Sequence, residues 1–232
     1  MSLRVLITGA SRGLGATLVD SFASRGAQVF AGVRSPRSGL DQSAGRADRV
    51  VTVELDVTSD ESVSRALSSV RAETPAIDVL INNAAIRSPS VSNPIETIDF
   101  GDVARTFDVN TIGPLRVIQA FLPLLRRGTA PMLVNVSSEA GSIDACYRDR
   151  EFDYCMSKAA MNMSTALLAN YLRGQVRVLS LHPGWLRTDM GGPNAALDPE
   201  TTARDIVELI RRESTLSDGP AFMDHEGRSL PW

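Results

Sequence analysis

The sequence predicts an α/β fold: a doubly wound parallel sheet of about seven strands with helices on both faces. Three observations predict it. Short apolar runs rich in β-branched residues alternate with longer stretches of helical period. Several of the short runs are apolar nearly throughout, as strands covered on both faces are. The chain of 232 residues is long enough for one sizeable core, so a single domain over 1–232 is expected.

The elements follow in order. "RVLITGA" (4–10) reads as the first strand, and Leu14, Leu18 and Phe22 at four-residue spacing mark the helix after it. "QVFAGVR" (28–34) and "VVTVELDV" (50–57) are the next strands, followed by the helical "SVSRALSSVRAE" (62–73). "IDVLINNAA" (77–85) is a strand and "IGPLRVIQAFLPLL" (112–125) an apolar helix. "PMLVNVSS" (131–138) is a strand, and a helix begins near Tyr154 with Met156, Ala160, Met163 and Leu167 on one stripe. "VRVLSLHPG" (176–184) is the sixth run. Loops are expected at 86–99, at 139–153 and at 189–201, where Gly191, Gly192 and two prolines break any helix.

Composition narrows the function. The net charge of −3 leaves no electrostatic footprint for nucleic acid or an anionic membrane. No segment approaches the length of a membrane span, and the first apolar run is too short for a signal peptide. Cys146 and Cys155 read as ordinary reduced thiols, which points to the cytoplasm. His182 and His225 have neither metal-ligand spacing nor a nucleophile–acid partner, so no metal is expected.

"ITGASRGLG" (7–15) joins the first strand to the first helix. Two readings are open: a tight strand–helix turn, or a cradle for a pyrophosphate. Glycines let the backbone approach the phosphates, and a helix N-terminus offers N–H groups and a positive dipole end. The context favours the cradle, formed by Gly9, Ser11, Arg12, Gly13, Leu14 and Gly15. The second strand ends without the acidic residue that a free ribose 2′-OH wants. Arg34 stands there instead, with Arg37 near and Arg12 in the turn. Guanidinium groups pair well with a 2′-phosphate, so NADP(H) is preferred over NAD(H), against the reading of these as solvated surface arginines.

Lys158 is the only lysine among 24 basic residues and stands four positions after Tyr154. On a helix that spacing puts both on one face. A phenol with a pKa of about 10 is a poor proton shuttle until a fixed ammonium stabilises its anion. Guanidinium is a broad planar fork, so a slot shaped for an ammonium refuses it. Chance spacing is the other reading.

In order along the chain stand "TGASRGLG", "LDV" (55–57), "NNAA" (82–85), "VN" (109–110), "VNVSS" (134–138), "YCMSK" and "HPGWLRTDM" (182–190). They resemble the short-chain dehydrogenase/reductase family over nearly the whole chain. "GSI", "SKAAMN" (157–162), "HPGW" and the closing Pro-Trp resemble its C-factor/sniffer carbonyl reductase branch. The resemblance implies a Rossmann-like sheet and interconversion of a carbonyl and an alcohol by hydride transfer. It implies catalytic roles for four residues. Tyr154 is the general acid or base, Ser138 holds the substrate oxygen, Lys158 binds the nicotinamide ribose and tunes Tyr154, and Asn110 anchors a relay water. It places Asp56 and Val57 at adenine and Asn83, Ala84 and Ala85 along the adenosine ribose. Pro183, Gly184, Leu186 and Thr188 fall at the carboxamide.

Two departures stand out. Ala85 replaces the family's glycine, and the gap from Ser138 to Tyr154 is longer than in the commonest members. The added stretch near "CYRDREFD" (146–153) is expected to loop out as part of the pocket wall. Ser137 competes with Ser138, and Trp185 either reaches the pocket or packs. The helix from about 154 to 172 carries more apolar surface than one core face needs, which points to a homodimer or homotetramer or to burial on its own sheet. The partner expected is a small carbonyl or alcohol. A dinucleotide-binding signalling protein of C-factor type with little turnover is the second reading.

Overall fold

The computed structural model describes residues 2–35, 48–213 and 219–232. Arg37 lies outside them. Seven strands form one parallel sheet in the order β3-β2-β1-β4-β5-β6-β7. The strands are β1 (Arg4–Thr8), β2 (Gln28–Val33), β3 (Val50–Glu54), β4 (Val79–Asn82), β5 (Met132–Val136), β6 (Arg177–His182) and β7 (Ala221–Asp224). Each predicted strand is shorter than the apolar run that announced it. The ends of those runs leave the ladder at the carboxyl edge and become the loops of the site.

Helices cover both faces. On one, α1 (Gly13–Ser24) packs beside α6 (Pro199–Glu213) over Val5, Ile7, Val29 and Val134. On the other, α2 (Asp60–Glu73) and α4 (Gly113–Leu125) cover Leu6, Phe30 and Leu80, α4 through Phe121. α5 (Phe152–Tyr171) completes that layer through Ala169. Successive residues of β1 face opposite ways, and Val5, Leu6 and Ile7 are all fully buried, as a doubly covered sheet requires. Each such side chain contributes roughly 1.5–3 kcal/mol of burial.

Two helices, α3 (Phe100–Phe107) and α6, and the edge strand β7 were not anticipated. Asp99 caps α3 by accepting from the Gly101 and Asp102 N–H groups at 2.7 and 3.2 Å. The predicted helix over 112–125 is α-helical from Gly113, with a π-helical turn over Asp108–Ile112 leading into it. At the amino edge of the sheet, Asp78 takes Arg4 in a two-pronged pair, 2.9 Å on each prong, and also accepts the Thr129 N–H. Burial pushes the Asp78 carboxyl up, but the bonds from Arg4 and Thr129 outweigh it and hold it below the usual range.

The opposite, carboxyl edge carries the site. Strand order reverses between β1 and β4, and a doubly wound sheet opens a ligand crevice there. No helix among the described residues is long and apolar enough to cross a membrane.

Candidate active site

The crevice begins at the glycine turn. Gly9 has φ +65, a left-handed conformation that favours glycine, and a Cβ on it would fall 2.7 Å from the Ala84 Cα. A Cβ on Gly15 would fall 2.2 Å from the Gly9 carbonyl oxygen. Asn83 braces the turn from the side, donating from Nδ2 to the Thr8 and Gly9 carbonyls at 3.0 Å. The Thr8 hydroxyl accepts from the Asn83 and Ala84 N–H groups. α1 opens at Gly13 with no side chain capping it. A bare helix end behind a turn that admits no Cβ fits a dinucleotide pyrophosphate.

The other predicted cofactor residues line the same edge, with differences. Leu14, Val57 and Leu186 bury their side chains in the core, so only their backbone can face a ligand. Ser11 and Ala85 are half-buried. Among the described residues the only non-glycine with positive φ is Glu151, so Ala85 carries no left-handed strain in place of glycine. Asp56 accepts from the Thr58 N–H and hydroxyl at 2.9 and 2.7 Å. Burial raises its pKa, but these bonds and the nearby Arg34 and Arg116 bring it below the usual carboxylate range. Arg34 is exposed at the end of β2. Arg12 pairs with Asp189 at 2.6 Å, both side chains solvent-exposed.

The segment after β6 closes on this turn. Pro183 and Gly184 leave the strand. Thr188 sits against Gly13, whose added Cβ would lie 3.3 Å from the Thr188 Cγ2. Trp185 is exposed and donates its indole N–H to the Gly191 carbonyl at 2.8 Å, so it folds onto its own loop.

The residues singled out for chemistry meet between the end of β5 and the start of α5. Lys158 is fully buried and donates from Nζ to the Val136 carbonyl at 2.8 Å. Its Nζ lies 5.7 Å from the Tyr154 ring centroid. Burial lowers its pKa to about 8. Tyr154 is half-buried by surface area, yet burial is the largest influence on its phenol. It pushes the pKa above the ordinary value, while the Ser138 hydroxyl and the charges of Arg87 and Arg148 pull the other way. Ser138 also accepts from the Ala140 N–H at 3.1 Å. Ser137 faces away, donating to the Asn162 Oδ1 at 2.6 Å.

A buried polar seam sets this geometry. The Asn82 amide donates to the Asn135 Oδ1, and Asn135 donates to the Thr165 hydroxyl, both at 2.9 Å. Asn162 accepts from Ser137 and Ser180 and donates to the Gly141 carbonyl. Gly141 lies so close to α5 that a Cβ would fall 2.6 Å from the Lys158 carbonyl carbon. Asn110 makes no hydrogen bond to Lys158 among the described residues. Its amide is committed to the Ile86 backbone, at 2.8 and 3.0 Å, and to the Ser157 hydroxyl.

The stretch between Ser138 and Tyr154 loops outward and leaves Ser138 beside the phenol. The Trp232 oxygen anchors it, accepting from the Ile143 and Asp144 N–H groups at 3.1 Å and from the Ser142 hydroxyl. His182 accepts the Glu139 N–H at Nδ1, and burial lowers its pKa, so it acts as a structural acceptor. Sequence reasoning did not single out Asn162, Arg87 or Glu151. Only their lying within or beside recognised motifs could have marked them.

Along α5, Met161, Thr165 and Ala169 are buried, while Met156, Met163, Leu167 and Tyr171 are exposed. The predicted apolar stripe is therefore surplus to the core. Cys146 and Cys155 are free thiols. Among the described residues no cluster of His, Cys, Asp or Glu is placed to hold a metal ion.

Comparison with known proteins agrees with this arrangement. The short chain dehydrogenase family model matches residues 4–197. C-signal of Myxococcus xanthus is 41% identical over 161 residues, covering 68% of this chain and 95% of that one. The NADPH-bound carbonyl reductase from chicken fatty liver superposes with a TM-score of 0.90 at 32% identity, covering all of both chains. The carbonyl reductase Sniffer of D. melanogaster gives 0.91 at 30% identity, also over both whole chains. The glycine turn, the sheet order and these matches together show that the chain belongs to the short-chain dehydrogenase family of oxidoreductases.

Proposed function

We propose that this chain is an NADP(H)-dependent oxidoreductase interconverting a carbonyl and an alcohol, with Tyr154 as general acid and base. One observation carries the reading: a phenol stands between the Ser138 hydroxyl and a buried, charged Lys158. NADPH, when bound, supplies the hydride. The protein holds the carbonyl oxygen with the Ser138 and Tyr154 hydroxyls, both aimed where negative charge develops. Burial keeps the Tyr154 phenol protonated in the resting site, the form that carbonyl reduction needs. As the proton leaves, the Lys158 ammonium stabilises the phenolate. The Asn110 amide is already committed, so its share in a proton relay falls to its main chain. There a π-turn takes one carbonyl out of the ordinary helical ladder.

The test is NADPH consumption with a panel of aldehydes and ketones. Consumption of NADPH with none of them would sink the reading. The 41% identity to C-signal favours a second one, a signalling protein that binds dinucleotide and turns over little. NADPH bound tightly but never oxidised is its expected signature.

The 2′-phosphate preference rests on Arg34, exposed at the end of β2 where an acid would suit NADH. Arg34→Ala is expected to weaken NADPH binding by about tenfold and NADH binding by less than twofold. Fluorescence titration reads both, and equal losses would overturn the preference.

We read the chain as one cytoplasmic catalytic domain that pairs with a second copy through the exposed face of α5, as a homodimer or within a homotetramer. Light scattering is expected to return twice the 25.0 kDa chain mass or more. A monomer at micromolar concentration counts against it.

A further inference from the structure

Two cations flank the Tyr154 ring, and the proposed mechanism uses one. The guanidinium carbon of Arg87 lies 5.6 Å from the ring centroid, slightly nearer than the Nζ of Lys158 at 5.7 Å. Both distances lie within the reach of a cation–π contact. Arg87 comes from the loop after β4, the wall expected to meet substrate.

Its position is built. Arg87 pairs with Glu151, whose side chain is 15% exposed. Glu151 also takes Arg148 at 2.5 Å, and Arg148 reaches Glu139 at 3.1 Å. Glu151 precedes α5 with φ 64, and its side chain does not cap the helix. An aspartate at this position ordinarily turns to the helix N–H groups, and Glu151 does not. Here it stands in an uncommon backbone state and holds two arginines instead. Strain of this kind gathers where geometry serves function.

We propose that Arg87 is a positioning residue for the reaction: held by Glu151 against the Tyr154 ring, it stabilises the phenolate alongside Lys158. The inference rests on the reading of Tyr154 as proton donor. The charges of Arg87 and Arg148 already oppose the effect of burial on the phenol. The other groups that act on it are Ser138 at the end of β5, Arg148 in the loop before α5, and Cys155 on α5, with Lys158 near the ring. Among the described residues Arg87 is the only arginine that stacks on this ring, while Arg148 stacks on Tyr147. A planar guanidinium suits a ring face.

Arg87→Met is expected to raise the pKa of the Tyr154 phenol by about one unit. In the pH profile of alcohol oxidation the rising limb moves up by that amount, with the plateau rate and the NADPH Kd within twofold. Arg87→Lys restores at least half of the shift. Ultraviolet difference titration reads the phenol without turnover. The chain has three tyrosines, and the Tyr154 step is the one missing in Tyr154→Phe. An unchanged phenol titration in both Arg87 variants overturns the inference. A wild type that oxidises no alcohol, yet whose phenol step still moves with Arg87, removes the proposed reaction and leaves only the stabilisation of the phenolate by Arg87 standing.

Discussion

Tyr154→Phe is expected to lower kcat/KM for NADPH-dependent carbonyl reduction by about 10³-fold while leaving the NADPH Kd within about twofold. The substitution removes one oxygen and keeps the ring. Phenylalanine retains the stacking surface offered to Arg87 and Lys158 at 5.6 and 5.7 Å, so the surrounding charges keep their places. What disappears is the proton. Ser138 remains beside the site, but an aliphatic hydroxyl is too weak an acid to replace a phenol. A loss of 10³ corresponds to about 4 kcal/mol of transition-state stabilisation, within reach of one positioned acid. Thermal stability should change by less than about 1 kcal/mol, because the polar atom is lost together with its hydrogen-bonding need. Steady-state rates and cofactor titration on the same preparation measure all three. Equal rates in the two proteins would remove Tyr154 from the chemistry.

Much of this site was legible because its signals are local. The glycine turn joins a strand to a helix within nine residues, and Tyr154 and Lys158 sit on one helix at a spacing that fixes their shared face. Near-continuous apolar runs gave away the buried strands. The missing parts are tertiary or masked by neighbours. α6 carries Ala203, Ile206, Val207 and Ile210 at helical spacing, all buried, but its charged residues and the adjoining glycine-rich loop hid the pattern. β7 is a four-residue edge strand, too short to show a period. Ser137 and Ser138 are chemically identical neighbours. Successive residues in extended chain point opposite ways, and only the packing of α5 says which one meets the phenol. Arg87 is one arginine in an arginine-rich chain. Its meeting with Glu151 closes a loop of 64 residues that no spacing rule anticipates.

Lys158→Met is expected to make the protein inactive and more stable. In the folded chain the Lys158 ammonium titrates at about 8, against 10.5 for an ordinary lysine, and burial is the cause. At pH 7 the amine is charged in the folded and unfolded chains alike, and the folded state bears the whole cost of the buried charge. Between pH 8 and 10.5 the folded chain releases its proton first, so stability rises with pH through that window. The shift corresponds to about 3 kcal/mol at pH 7, as an order of magnitude. Methionine fills the space of the stem and carries no charge, but it leaves the Val136 carbonyl without its donor, which costs about 1–2 kcal/mol. A net gain of about 1–2 kcal/mol at pH 7 remains, and the gap to wild type narrows toward pH 10. Urea unfolding at the two pH values reads it. A methionine variant less stable at pH 7, or a gap indifferent to pH, would mean that the ammonium is better compensated than its single hydrogen bond implies. Activity should fall by at least about 10²-fold, as the loss of a charge beside a developing anion requires. Lys158→Arg separates charge from shape: it keeps the cation but brings a planar fork into the fully buried place where the ammonium meets the Val136 carbonyl, and it should recover neither rate nor stability.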